Sequence, residues 1–139
     1  MPTSSFLKTR ILNQAIKVAS SSPSQKRVGA ILLSKKKIIS HSCNFDQRTH
    51  PIQYRLANET ARVHGNDFSK KLFLHAEIGA LIKAKRKADT IVICRVGGHS
   101  GIELRNARPC KICSGFILNS GIKHVHYSTD EGFQYEYWG

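Results

Sequence analysis

Apolar residues recur along the chain with two different periods, and the switches between them mark out the elements. In residues 5–20, SFLKTRILNQAIKVAS, Leu7, Ile11, Ala15, Val18 and Ala19 fall on one helical face, with Ser5 placed to cap it. The runs VGAILLS (28–34) and IISHSCN (38–44) have strand length and flank a turn at Lys35 to Lys37, which predicts an antiparallel hairpin. After a loop, residues 51–65 read as a helix opened by Pro51 and stopped by Gly65, with Ile52, Leu56, Thr60 and Val63 on one face. A second strong helical pattern covers 75–88 and carries Ile78, Leu81 and Ile82 inward. TIVICRV (90–96) reads as a third strand, and 97–107 as a loop or short ribbon. Pro109 and Gly121 bracket another helix. Residues 122–128 and 133–138 read as strands, with only the turn signal TDEG between them, so they should pair antiparallel. The order α-β-β-α-α-β-α-β-β predicts one α/β domain over residues 1–139, with a mixed sheet of about five strands covered by helices.

Composition narrows this picture. With 139 residues and 40% hydrophobic positions, the chain can bury a core without disulfide staples. It has no run of 18 apolar residues, so no membrane span or membrane partner is expected. The start, MPTSSFLKTR, lacks an apolar stretch behind a basic one, which argues against a secretory signal and for the cytoplasm. In that setting the four cysteines are not a disulfide framework. Cys43 and Cys94 sit in strand-like apolar contexts and read as small buried hydrophobes.

Charge changes the picture further. Lys and Arg number 22 against 9 Asp and Glu, a net +13. That balance favours anionic partners, nucleic acid or phosphate-bearing substrates, over a merely solvated basic surface.

The candidate chemistry lies in two short motifs. LFLHAEIGAL (72–81) sets His75 and Glu77 into an apolar run, where a carboxylate is rarely buried unless paired or used. Pro109-Cys110-Lys111-Ile112-Cys113 opens another helix. Alone, the first could be a cap or a satisfied core histidine, and the second a redox pair or half of a structural zinc site. Together, one His and two Cys offer three ligands to Zn2+ and leave a position open, the catalytic pattern. The helix N-terminus favours the thiolate form of the cysteines. Glu77 would act as general base and acid beside the open position.

With these motifs the chain resembles the cytidine deaminase-like superfamily, zinc-dependent nucleobase deaminases marked by H-x-E and P-C-x-x-C. The resemblance implies a three-layer α-β-α fold and zinc on His75, Cys110 and Cys113, with Glu77 as proton shuttle. It implies that Ala76 offers its backbone to the base and that Asn44 reaches the substrate's sugar or base. The implied reaction is hydrolytic: water attacks the amine-bearing ring carbon, and Glu77 protonates the ring nitrogen and then the departing ammonia. HAEIGAL is similar to the tRNA adenosine and deoxycytidylate deaminases, and SGIKHVHYS to deoxycytidylate and phage-type enzymes. The short TDEG turn departs from those branches, where a helix makes the last two strands parallel, and looks more like the cytidine deaminase branch. Segment 48–70, outside the common core, is expected to shape the substrate entrance.

Several basic residues have bland roles. Lys83, Lys85, Arg86 and Lys87 would close a helix, where cations suit the dipole. Arg105 and Arg108 flank the cysteines, and Arg48 and His50 follow Asn44, so these four are the candidate phosphate contacts. Phe45 is the candidate to line the base pocket. Phe133, Tyr135, Tyr137 and Trp138 could stack on bases, but core or interface roles are slightly favoured. The charge slightly favours cytosine in single-stranded nucleic acid as the substrate. The alternatives are a free nucleotide (dCMP or cytidine), adenosine in RNA, and a zinc-stabilised nucleic-acid-binding module without turnover. A homo-oligomer is compatible with all of them.

Overall fold

The computed structural model describes residues 7–44, 55 and 75–139. The helix expected over 51–65 lies outside them, except for Arg55, which is exposed. The described elements run α1 (Thr9–Ser20), β1 (Arg27–Ser34), β2 (Lys37–Cys43), α2 (Ala76–Lys83), β3 (Thr90–Gly97), β4 (Glu103–Arg105), α3 (Lys111–Asn119), β5 (His124–Thr129) and β6 (Gly132–Tyr137).

The sheet runs in the order β2-β1-β3-β5-β6, with β4 added beside β3. β3 and β5 are parallel and every other pairing is antiparallel, including the C-terminal hairpin β5–β6. This is the expected mixed sheet, with six strands rather than about five. The sixth is the three-residue ribbon in the segment read as loop or ribbon.

Strand alternation sends residues to two apolar clusters, one per face. On one face Ile31, Leu33, Val92, Cys94 and Val96 meet Ile11, Ala15, Val18 and Ala19 of α1. On the other, Ala30, Leu32, Ile91, Ile93, Val125 and Tyr127 meet Ala76, Ile78 and Ala80 of α2 and Ile112, Cys113 and Ile117 of α3. The result is a three-layer α-β-α arrangement. Gly29 permits the closest approach between layers. A Cβ there would fall on the Ala19 backbone nitrogen and lie 2.9 Å from Ala19 Cα.

Two local expectations change, at the start of α1 and the end of α2, and the expected hairpin turn shows its support. α1 begins at Thr9, with Lys8 at its cap and no side-chain cap bond; Ser5 lies outside the described residues. α2 ends at Lys83 instead of continuing to residue 88, because Ala84 turns extended (ψ 128°) and leads the chain back toward β3. Only Lys83 therefore serves its last turn, and Ile82, expected inward, is 37% exposed. Lys35 and Lys36 form the β1–β2 turn with positive φ (50° and 69°), where Asn or Gly is usual. The Lys35 N–H donates to Asp89 Oδ2 at 2.9 Å, which supports the strained turn from outside the hairpin.

The C-terminal hairpin closes the fold through Glu136. The Arg108 guanidinium donates to it twice, at 2.9 and 3.2 Å. The Tyr127 hydroxyl donates at 2.7 Å and the Trp138 indole N–H at 3.2 Å. Arg108 above all, with Tyr127 and Trp138, holds the Glu136 carboxyl down at about 2. Phe133 and Trp138 pack half-buried against the two clusters, as a core role requires. Tyr135 and Tyr137 lie against the ring of His124, and Tyr137 is 60% exposed.

Two outcomes are expected. Gly29→Ala should cost about 1–3 kcal/mol through overpacking against the α1 backbone, read as a lower Tm; an unchanged Tm would contradict the close packing. The Glu136 contribution should be complete above its ordinary value of 4.5 and fade as pH falls toward about 2, because folding depresses its pKa. The Tm gap between wild type and Glu136→Gln should therefore narrow between pH 5 and pH 2. A gap that stays constant over that range would show that the carboxylate's charge does not contribute.

Candidate active site

α2 ends where the chain turns into β3, and α3 ends where it turns into β5. Their N-termini therefore lie at the opposite edge of the sheet, beyond the C-terminal ends of those two parallel strands. This is where open α/β sheets bind ligands. His75 and Cys110 are the capping residues of α2 and α3, both with extended backbone (ψ 152° and 172°). Glu77 and Cys113 follow in the respective first turns.

The donor atoms converge. His75 Nδ1 lies 3.2 Å from Cys113 Sγ and 3.7 Å from Cys110 Sγ. All three ligand atoms lie within 4.8 Å of one another. Metal–ligand bonds of about 2.0–2.1 Å to nitrogen and 2.3 Å to sulfur, in a tetrahedron, separate nitrogen from sulfur by about 3.5 Å. The two observed separations bracket that value, so the donor set fits zinc. Among the described residues this is the only such cluster of His, Cys, Asp or Glu.

The electrostatics agree with a metal-binding pair. Cys110 is pulled down to about 3, first by the hydrogen bond from Cys113 and then by His75. Burial pushes Cys113 up. Glu77 is 6% exposed and in hydrogen-bond contact with Cys113. Burial raises its pKa, and His75 opposes this. The Glu77 carboxyl is therefore ready to hold a proton. Ala76 is fully buried between the two. Cys94, by contrast, has its thiol pushed up to about 12 by burial and is the inert hydrophobe expected; Cys43 is half-buried.

The other candidates divide. Phe45, Arg48 and His50 lie outside the described residues. Asn44 stands at the end of β2 with most of its amide committed to its own chain. Its Oδ1 accepts from Ser22 Oγ (2.6 Å) and Val28 N (2.9 Å), and its Nδ2 donates to the Lys26 carbonyl (2.7 Å). It clamps the entry to β1 against the end of β2. Arg105 pairs with Glu103 at 3.0 Å, and Arg108 with Glu136 at 2.9 Å. Both arginines flank the cysteines as expected, but each already faces a carboxylate of its own chain.

Two residues at this edge escaped the sequence reading. Ser128, fully buried, accepts from the Arg95 N–H (2.9 Å) and donates to the Arg105 carbonyl (2.7 Å). The Ser128 carbonyl takes the Ala107 N–H at 2.9 Å. One serine thus pins the segment that leads into Cys110, and nothing in a lone Ser signals this. Arg95 is the other. In TIVICRV it falls in register with Ile91 and Ile93, and a charge on the inward face of a central strand was a readable anomaly.

A family model described as the cytidine and deoxycytidylate deaminase zinc-binding region matches residues 7–129. Among solved structures, the chain is similar to a dCMP deaminase from the cyanophage S-TIM5 in apo form. The two share 25% identity with a TM-score of 0.49, over 86% of this chain and 83% of that one. The same cyanophage enzyme in complex with dCMP and dUMP matches at 22% identity and a TM-score of 0.47, over 86% and 82%. No curated protein matches the chain. The family match takes in β1, β2, both zinc motifs and β5, and by it the chain belongs to the cytidine and deoxycytidylate deaminases, a family of zinc-dependent hydrolases.

Proposed function

We propose that this protein hydrolyses the exocyclic amine of cytosine in a free pyrimidine nucleotide or nucleoside, giving uracil and ammonia. The observation that carries this reading is the convergence of His75, Cys110 and Cys113 around a single point with the buried Glu77 beside it, inside the matched zinc-binding region. His75, Cys110 and Cys113 would hold the zinc. When bound, zinc supplies a Lewis acid and lowers the pKa of water. Glu77 would take one proton from the attacking water and pass it to the ring nitrogen as oxygen bonds to the amine-bearing carbon. It would then carry the proton of the newly added hydroxyl to the amine nitrogen as the carbon–nitrogen bond breaks and ammonia leaves. Burial raises its pKa above the ordinary carboxylate value, which favours its holding a proton between the two transfers. Ala76, at the first position of α2, offers its backbone to the base, and one Nδ2 hydrogen of Asn44 has no acceptor among the described residues. The burial of Glu77 and Ala76 keeps bulk water from competing for these contacts.

The free-nucleotide reading is supported by the family and by the state of the rim. A polymer needs a track of available cations, and Arg105 and Arg108 are each neutralised by Glu103 and Glu136. The net charge of +13 favours a second reading, cytosine in single-stranded nucleic acid.

Incubation of the zinc-loaded protein with dCMP, cytidine and a cytosine-containing oligonucleotide separates the two, with uracil formation followed by absorbance. Turnover of dCMP or cytidine is expected to exceed that of the oligonucleotide, and the reverse order would replace the first reading by the second. Glu77→Gln should keep its zinc yet lose about 10²–10⁴-fold in kcat. Full activity in that variant would remove Glu77 from the mechanism.

A further inference from the structure

We propose that Arg95 binds the phosphate of the substrate nucleotide. The inference deepens the free-nucleotide reading and rests on it. Arg95 lies near the C-terminal end of β3, the central strand, directly opposite Val28 of β1 and Arg105 of β4. Val28 packs against the cluster that contains Ala76 and Cys113. Alternation along β3 puts Val92, Cys94 and Val96 on the α1 face and Ile91, Ile93 and Arg95 on the face of α2 and α3. The Arg95 side chain therefore leaves the sheet on the side, and at the edge, where the zinc ligands stand.

Among the described residues, Arg95 meets no counter-charge. Arg95 is half-buried, yet no hydrogen bond or ion pair joins its guanidinium to any acceptor among the described residues. One of its two directly opposed neighbours is another cation, Arg105, and like charges opposite each other destabilise a sheet. Arg105 already has its anion in Glu103, and its stem lies over Gly97, where a Cβ would sit 3.7 Å from Cγ. Glu136 is held by Arg108, Tyr127 and Trp138. Among the described residues, the Arg95 fork therefore has no carboxylate partner.

The backbone beneath it is fixed. The Arg95 N–H ends on Ser128 Oγ, and the same hydroxyl donates to the Arg105 carbonyl. A guanidinium on so rigid a base loses little freedom when it takes a bidentate oxyanion. A phosphate monoester fits the demand: it is anionic, it presents two oxygens to one fork, and it lies at the far end of the nucleotide from the reacting base.

The test compares ligands that differ only in the phosphate. Affinity for the products dUMP and deoxyuridine, measured by calorimetry, needs no turnover and so stands even if the substrate reading fails. Wild type should prefer dUMP, and Arg95→Gln should lose about 10- to 100-fold on dUMP while deoxyuridine changes less than about 2-fold. In kinetics the loss should fall on KM for dCMP, with kcat largely kept. Arg95→Lys, which retains the charge without the fork, covers the case in which Arg95→Gln folds poorly and should show a partial loss. An unchanged preference for dUMP in either folded variant would overturn the assignment. So would a loss confined to an oligonucleotide, which would place the contact on a phosphodiester.

Discussion

Three donor atoms from two helices must meet within the radius of one metal ion, and most of the fold can be read as the means of satisfying that requirement. The donors come from capping and first-turn positions, the least constrained part of a helix and the part with spare N–H groups. Such positions are accurate only if the helices themselves are fixed. α2 and α3 are fixed by the same apolar cluster, in which Ala76 and Cys113 are themselves members. The ligands are thus extensions of the core. A small change in how Ile78, Ile112 or Ile117 packs would be felt as a change in donor spacing, because interiors transmit strain rather than absorb it.

The cysteine side of the site has a further problem. Between β3 and α3 the chain runs through the glycine-rich segment 97–101 and the short strand β4 before reaching Cys110. The solution comes from downstream. Ser128 on β5 holds Arg95, Arg105 and Ala107, and Glu136 on β6 holds Arg108. The antiparallel hairpin makes the second tie available, since it places Glu136 beside Val125 and Gln134 beside Tyr127. The two last strands therefore act as the scaffold of a motif that precedes them in sequence.

Much of this was legible in the chain. The zinc motifs combine residue types whose chemistry is specific with a spacing set by one helical turn, so His75, Glu77, Cys110 and Cys113 could be singled out without a structure. The C-terminal hairpin followed from four turn residues. The strands followed from apolar runs, because β1 and β3 are buried on both faces. What sequence could not supply were features decided by tertiary pairing. The helical period in 75–88 continues past Lys83, yet the chain leaves the helix there to reach β3, and Ile82, within the last turn of α2, is exposed. Lys35 and Lys36 take a turn conformation against their propensity because Asp89, distant in sequence, accepts from the turn. Ser128 is an ordinary residue by type and becomes structural only through its two partners.

Charge shows the same limit most sharply. Counting residues gives an excess of cations and points to the arginines nearest the cysteines. The structure assigns those charges to specific neighbours. Arg105 and Arg108 lie at the rim but face Glu103 and Glu136, so their contribution to binding an anion is largely spent within the chain. Arg95 sits inside an apolar strand, where a count of charges does not single it out, and no carboxylate among the described residues pairs with it. A buried or half-buried cation is costly unless something anionic meets it. Availability, set by pairing and by face, therefore decides which cation serves the site, and proximity in sequence to the ligands does not.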